Sequence, residues 1–190
     1  MNMFKNSYLK STCIVLLLTI LSFACSQSNN ESKTKAVAAP DIDLNTAVIS
    51  GNLEAVRQHI EANTDLNEKE PFSGSSPLIS AAVFGKTKIA KALIDAGADL
   101  SPKNNDGSTA LHVAAFFCQL EIVQLLIDAK ADKTMLNNFG LTPRESVLGS
   151  FSEIKPIYEM MQQQLAPLGL QFDLDEIEKN RPVVAMMLQD

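Results

Sequence analysis

Asp106-Gly107-Ser108-Thr109-Ala110-Leu111-His112-Val113-Ala114-Ala115 is the stretch that decides the fold. Asp106-Gly107 reads as the tip of a tight loop, where glycine accepts a left-handed backbone without a Cβ penalty. Thr109 stands where a helix N-cap is wanted, its hydroxyl placed to accept a backbone N–H of the first turn. Leu111, Ala114 and Ala115 then fall on one face of a short helix, and the paired alanines let a neighbouring helix come close. Outward from this stretch, the same pattern returns at a spacing of 33 residues. Gly74, Gly107 and Gly140 share that spacing, as do Ser76, Thr109 and Thr142. Leu78 pairs with Leu111, Ala81-Ala82 with Ala114-Ala115, Leu93 with Leu126, and Ala98-Asp99 with Ala131-Asp132. Agreement of so many positions on one period marks an internal repeat.

Each unit reads as a helix-turn-helix followed by a loop. Pro77 and Pro143 follow the capping residue at the first helical position, where a missing N–H costs nothing. A turn at Gly85-Lys86 or Cys118-Gln119 leads to a second helix carrying Ile89 and Leu93, or Ile122, Leu125 and Leu126, at helical spacing. Gly97 then serves as a left-handed C-cap; Lys130 takes its place one repeat later at a cost near ~1 kcal/mol. Upstream the spacing becomes 34, from Gly51 to Gly85 and from Asp65-Leu66 to Asp99-Leu100, with Asn63 in the C-cap role. The extra residue is expected in the loop 68–75, where an insertion costs little. Downstream, Gly140-Leu141-Thr142-Pro143 opens a fourth unit, but Arg144 stands where Leu78 and Leu111 stand, and past Leu148 the register fades. Pro156 is expected to open a helix ending near Leu165. Residues 173–189 read as one more helix, bent or restarted at Pro182, with Val183, Val184, Met187 and Leu188 available to cover the end of the stack.

The stretch 106–115, with Ala96-Gly97-Ala98-Asp99-Leu100, resembles the signature and the repeat ending of the ankyrin family. The resemblance implies an all-α solenoid of about four helix-turn-helix repeats with hairpin loops, at about 41–70, 71–103, 104–136 and 137–165, and a C-terminal helical extension or cap at 166–190. It also implies a non-catalytic module whose partner is an unidentified protein. The family's two functional surfaces are the hairpin tips and the exposed face of the first helices. Carried over by position, they are Phe72, Ser73, Ser75, Val83 and Phe84 in one repeat and Asn105, Asp106, Ser108, Phe116 and Phe117 in the next. The less complete repeats add Ile49 and Ser50, and Asn138, Phe139 and Leu141. These positions hold five of the nine phenylalanines, the residue class that binding hot spots use when exposed. Phe84, Phe116 and Phe117 have an alternative place, turned inward between repeats.

The N-terminus reads as an export signal. Lys5 and Lys10 form a positive region, residues 11–30 carry no charge, and 13–21 is an almost unbroken apolar run. Leu21-Ser22-Phe23-Ala24-Cys25 resembles a bacterial lipoprotein signal end, with Ser22 where that family prefers an aliphatic residue. The resemblance implies a signal peptide at 1–24, lipid attachment at Cys25, and a flexible tether at 25–40. The chain is then expected to be exported and lipid-anchored to the bacterial envelope, on the outer membrane facing the periplasm. The alternative is an ordinary secretory signal or an uncleaved anchor. Stretched out, the polar residues 26–40 would reach about 50 Å at ~3.4 Å each, enough to hold a domain clear of a membrane.

Composition narrows the function classes. Removing Lys5 and Lys10 leaves 14 basic against 22 acidic residues, a formal charge of 14 − 22 = −8. No Lys/Arg cluster appears, which speaks against nucleic acid as a partner. No constellation for catalysis or for a metal stands out, and no cofactor or small-molecule substrate is expected. His112 has no ligand or base at useful spacing and is read as structural. Cys118, flanked by Phe117 and Gln119, lacks a base and is read as a buried thiol. The glycines occur singly, and the acidic runs at 41–43 and 173–178 are too sparse for a calcium loop. The chain is therefore expected not to be an enzyme. Two alternatives stay beside general protein binding: an immunity or inhibitor protein that blocks one toxin or enzyme, and a purely structural envelope lipoprotein.

Overall fold

The computed structural model describes residues 38–189. Cys25, the expected signal segment and most of the expected tether lie outside the described residues. Among the described residues, every regular element is helical. The first six helices form three hairpins: α1 (Leu44–Ser50) with α2 (Leu53–Glu61), α3 (Pro77–Val83) with α4 (Thr87–Asp95), and α5 (Ala110–Phe116) with α6 (Leu120–Asp128). Each first helix starts on a side-chain cap. Asp43 accepts from the Thr46 N–H, Ser76 from Ile79 and Thr109 from His112. Pro77 occupies the first position of α3, where its missing N–H is harmless.

Left-handed backbone positions punctuate the chain with the expected period. The turns inside the hairpins sit at Gly51, Gly85 and Cys118, with φ of 76°, 60° and 51°. The second helices stop at Asn63, Gly97 and Lys130, with φ of 55°, 85° and 66°. The loop tips turn at Gly74, Gly107 and Gly140, with φ of 67°, 72° and 75°. The first two series are spaced by 34 then 33, the third by 33 and 33, so the extra residue lies between Asn63 and Gly74. Among the described residues, Asn63, Cys118 and Lys130 are the non-glycine residues with positive φ, each where the repeat demands a left-handed turn whatever the side chain.

The first helices α1, α3 and α5 pack side by side, and α2, α4 and α6 pack behind them. The core runs continuously through the stack: Ala47 and Val48, then Leu78, Ala81 and Ala82, then Leu111, Ala114 and Ala115, backed by Val56, Ile89, Leu93, Ile122 and Leu126, all buried. Truncating one of these leucines to alanine removes about 2–5 kcal/mol.

The end of the stack differs from the sequence reading. The fourth entry forms as far as Thr142, whose hydroxyl accepts from the Glu145 N–H while the Glu145 carboxylate accepts from the Thr142 N–H. The next element is only a 3-10 turn, Glu145–Val147, packed on α5. Arg144 cannot fill the place of Leu78 and Leu111; its Nε instead donates to the Ala185 carbonyl at 3.2 Å. Helix α7 (Phe151–Leu165) begins five residues before Pro156 rather than at it, with Pro156 inside. A turn through Gly169 leads to α8 (Leu174–Met187), capped by Asp173 and running past Pro182 without a restart. α8 packs on α5 and α6 and buries Ile177, Val184, Ala185 and Leu188. The stack is thus closed by a helix from the C-terminal extension. Val184 and Leu188 do the covering expected of them, while Val183 stays at the surface.

Candidate binding surface

The three loops are fingers tied to one another. Within a finger, Asn104 Oδ1 accepts from the N–H groups of Asp106 and Ser108, and Asn137 Oδ1 accepts from those of Phe139 and Leu141. The first finger uses Glu70 instead, whose carboxylate accepts from the N–H groups of Phe72 and Ser73 and from the Ser73 hydroxyl. Burial pulls the Glu70 carboxyl upward, but the bonds from Ser73 and Phe72 outweigh it and hold its pKa below the ordinary value.

Between fingers, an asparagine ladder fixes the spacing. Asn105 donates its N–H to the Ser73 carbonyl at 2.8 Å and its side-chain amide to the Phe72 carbonyl at 2.7 Å. One repeat later, Asn138 donates its N–H to the Asp106 carbonyl at 2.9 Å and its side-chain amide to the Asn105 carbonyl at 2.9 Å. Lys69 reaches the Lys103 carbonyl at 2.6 Å, and Lys103 reaches the Leu136 carbonyl at 2.8 Å. Gly107 is required by this approach as well as by its φ: a Cβ there would lie 2.8 Å from the Asn138 main-chain N. Side chains at the tips are therefore presented from a braced support, which lowers the ordering cost of binding.

Phe72 is 92% exposed and Phe139 72% exposed, so two aromatic rings flank Asn105 and Asp106, which are themselves exposed. Ser73, Asn138 and Leu141 are also exposed, and Ser108 is half-buried. Ser75, expected at the tip surface, is buried, its hydroxyl hydrogen-bonded to that of Ser73 at 2.7 Å. The Asn105 side-chain amide, expected to meet a partner, is engaged on the neighbouring finger.

On the inner helices the array divides in two. Ser50 is exposed, and Ile49, Val83 and Phe84 are half-buried. In the third repeat the C-terminal extension covers the corresponding face. The Phe116 ring stacks on Tyr158 with centroids 4.5 Å apart. Phe117 is 5% exposed and packs against Tyr158 and Phe172, with centroids 6.4 Å and 5.7 Å away. The expectation that Phe116 and Phe117 form open binding surface is corrected: Phe117 is core, and one face of Phe116 is taken by the chain's own tyrosine. The aromatic residues of the extension, Tyr158 and Phe172, are the available signal in the sequence, but they stand outside the repeat register.

The candidate chemical residues are structural. His112 is buried. Its Nε2 donates to the Leu141 carbonyl at 3.0 Å and its Nδ1 accepts from the Thr109 N–H at 3.3 Å, tying α5 to the next finger. Burial lowers its pKa, the bond to Leu141 opposes this, and the charge of Lys103 adds to the lowering. His59 does a similar job at the other end, its Nε2 donating to the Ile42 carbonyl at 2.8 Å and its Nδ1 accepting from the Thr64 hydroxyl at 3.1 Å. Burial pushes the Cys118 thiol up to about 11, the opposite of an activated nucleophile. Among the described residues, no group of three or more His, Cys, Asp or Glu is placed to hold a metal ion.

Comparison with known proteins agrees with this geometry. A family model described as ankyrin repeats, in three copies, matches residues 44–137. Protein phosphatase 1 regulatory subunit 27 from Homo sapiens and its counterpart from Mus musculus are each 39% identical over 64 residues, covering 34% of this chain and 41% of theirs. The chain thus spans less than half the length of these curated relatives. The crystal structure of the ankyrin repeat domain of Bcl-3, a member of the IkappaB protein family, superposes with a TM-score of 0.53 at 30% identity, over 54% of this chain and 45% of that one. Residues 44–137 of this chain are an array of ankyrin repeats.

Proposed function

We propose that this chain is a non-catalytic binding module, exported to the cell envelope, which captures a partner protein through its finger tips and the open part of its inner helices. One observation carries the reading: Phe72 and Phe139 stand exposed on fingers braced by the ladder of Asn105 and Asn138. Two large apolar side chains left in water on a rigid support serve no folding purpose, and exposed aromatics of this kind are what hot spots use. The open inner surface is Ser50, Val83 and Phe84. The relatives are named as a regulatory subunit of protein phosphatase 1, which supports a stoichiometric role for this chain without naming its partner.

In this reading the module is held by a lipid on Cys25, on the periplasmic side of the outer membrane. Lys5, Lys10, the apolar run 13–21 and Ala24-Cys25 support it. Several acyl chains on one residue give firm anchoring where one chain is marginal. Intact mass of the mature N-terminus tests the anchor: an acylated Cys25 supports it, and an unmodified Cys25 or a retained Met1 removes it. Binding is tested by changing Phe72 and Phe139 together to Ser. Loss of partner capture with unchanged thermal unfolding supports the proposal, and retained capture contradicts it.

A further inference from the structure

Arg181 on α8 is 4% exposed. Its two terminal nitrogens donate to the Tyr158 hydroxyl at 3.3 Å and to the Gly149 carbonyl at 2.9 Å. Both acceptors are neutral, and a guanidinium has five N–H donors. Among the described residues no carboxylate comes within ion-pair distance of it; the side-chain ion pair Lys91–Asp95 lies elsewhere, on the surface. A buried cation with no counter-charge is unfavourable, because desolvation is not offset by an opposite charge. Two hydrogen bonds offset only part of that cost.

A cleft of about 350 Å³ has Arg181 in its wall. Val147, Leu148, Phe151, Pro182 and Ala185 give it an apolar lining, with Arg181 as its cationic residue. Glu178, one helical turn before Arg181 and exposed, also borders the cleft. We infer that this cleft binds a carboxylate carrying an apolar group, the carboxylate completing the charge of Arg181 and the apolar part lying against Val147, Phe151 and Ala185. A planar, singly charged carboxylate matches the planar fork of a guanidinium. Glu178 at the border repels anions, and a doubly charged one most, so a phosphate group fits less well. The site lies at the C-terminal closure of the array and stands independently of the finger surface. The acid has two possible sources, the end of a peptide or a free small acid.

The test uses the full chain with ¹⁵N-labelled arginine and follows the Arg181 Nε–H signal by NMR. Hexanoate is the first probe, with hexanamide as its neutral isostere. The expected result is a saturable shift with hexanoate and none with hexanamide. Arg181→Met, which swaps a buried charge for an apolar side chain and so need not unfold the chain, is expected to abolish hexanoate binding measured by calorimetry. Glu178→Gln, on an exposed residue where folding is not at risk, is expected to tighten binding at least twofold by removing the like charge. N-acetyl-Ala-Leu as the free acid and as its amide forms the second arm; whichever acid binds more tightly, peptide or hexanoate, identifies the source. Equal response to acid and amide, no response to either acid, or no tightening in Glu178→Gln overturns the inference.

Discussion

The hydroxyl of Tyr158 donates to the main-chain carbonyl of Phe116 at 2.6 Å, joining the C-terminal extension to the last turn of α5. The same ring stacks on Phe116 and is fully buried, and burial pushes its pKa up to about 12. The extension is therefore bonded and packed into the third repeat rather than laid over it. Tyr158→Phe leaves the Phe116 carbonyl without this donor and should lower stability by about 1–2 kcal/mol. Tyr158→Ala also opens a cavity among Phe116, Phe117 and Phe172 and should cost about 3–5 kcal/mol. Urea unfolding checks both, and equal stability of the two variants would contradict the packing described.

His112 makes stability depend on pH. Its folded pKa lies below the ordinary 6.5, so the unfolded chain binds the proton more readily. Its contribution is present above the unfolded value and is lost as pH falls from about 6.5 through the folded value. Protonation places a hydrogen on Nδ1, facing the Thr109 N–H that this atom accepts. The unfolding midpoint should fall on acidification from pH 7 to pH 5, and His112→Gln should flatten that slope while lowering stability at pH 7.

Lys130 and Gly107 occupy the same backbone region for different reasons. Lys130 has φ 66° and is exposed, so Lys130→Gly should stabilise by about 0.5–1 kcal/mol. Gly107 has φ 72° and lies against the Asn138 main chain. Gly107→Ala should cost more than the ~1 kcal/mol of a left-handed alanine, because the Asn138 rung must also move. Thermal unfolding of the two variants should shift in opposite directions.

Cys118 should resist alkylation. With its pKa near 11, about one thiol in a thousand is ionised at pH 8, and the group is buried between α5, α6 and the Ile177 carbonyl. Iodoacetamide should label it in the unfolded chain and only negligibly in the folded one, as read by mass spectrometry.

The repeat is legible in the sequence because period, cap and turn are local properties. Ser76, Thr109 and Gly97 announce their roles within a few residues, and even Asn63 and Lys130 are readable by position, since the left-handed turn is imposed by the register. The finger tips Phe72 and Phe139 come from the same register. The closure of the stack is not legible. Arg144 signals that the leucine pattern stops, but nothing near it says that α8, some 30 residues on, takes the place against α6. The pairing of Phe116 with Tyr158 spans 42 positions and obeys no period, so position alone puts Phe117 at the surface when it belongs to the core. Arg181 escapes the sequence for the same reason: its burial depends on Tyr158 and Gly149, both far from it along the chain.

A partner protein should meet the fingers and not the covered end of the inner face. A photo-crosslinking amino acid placed singly at Phe72, Phe139 and Phe116 in the full chain, irradiated in living cells, separates the two surfaces. Positions 72 and 139 should crosslink to the same partner, while position 116 should yield only intramolecular links to the C-terminal extension. A partner captured from position 116, with none from 72 or 139, would contradict the binding surface proposed.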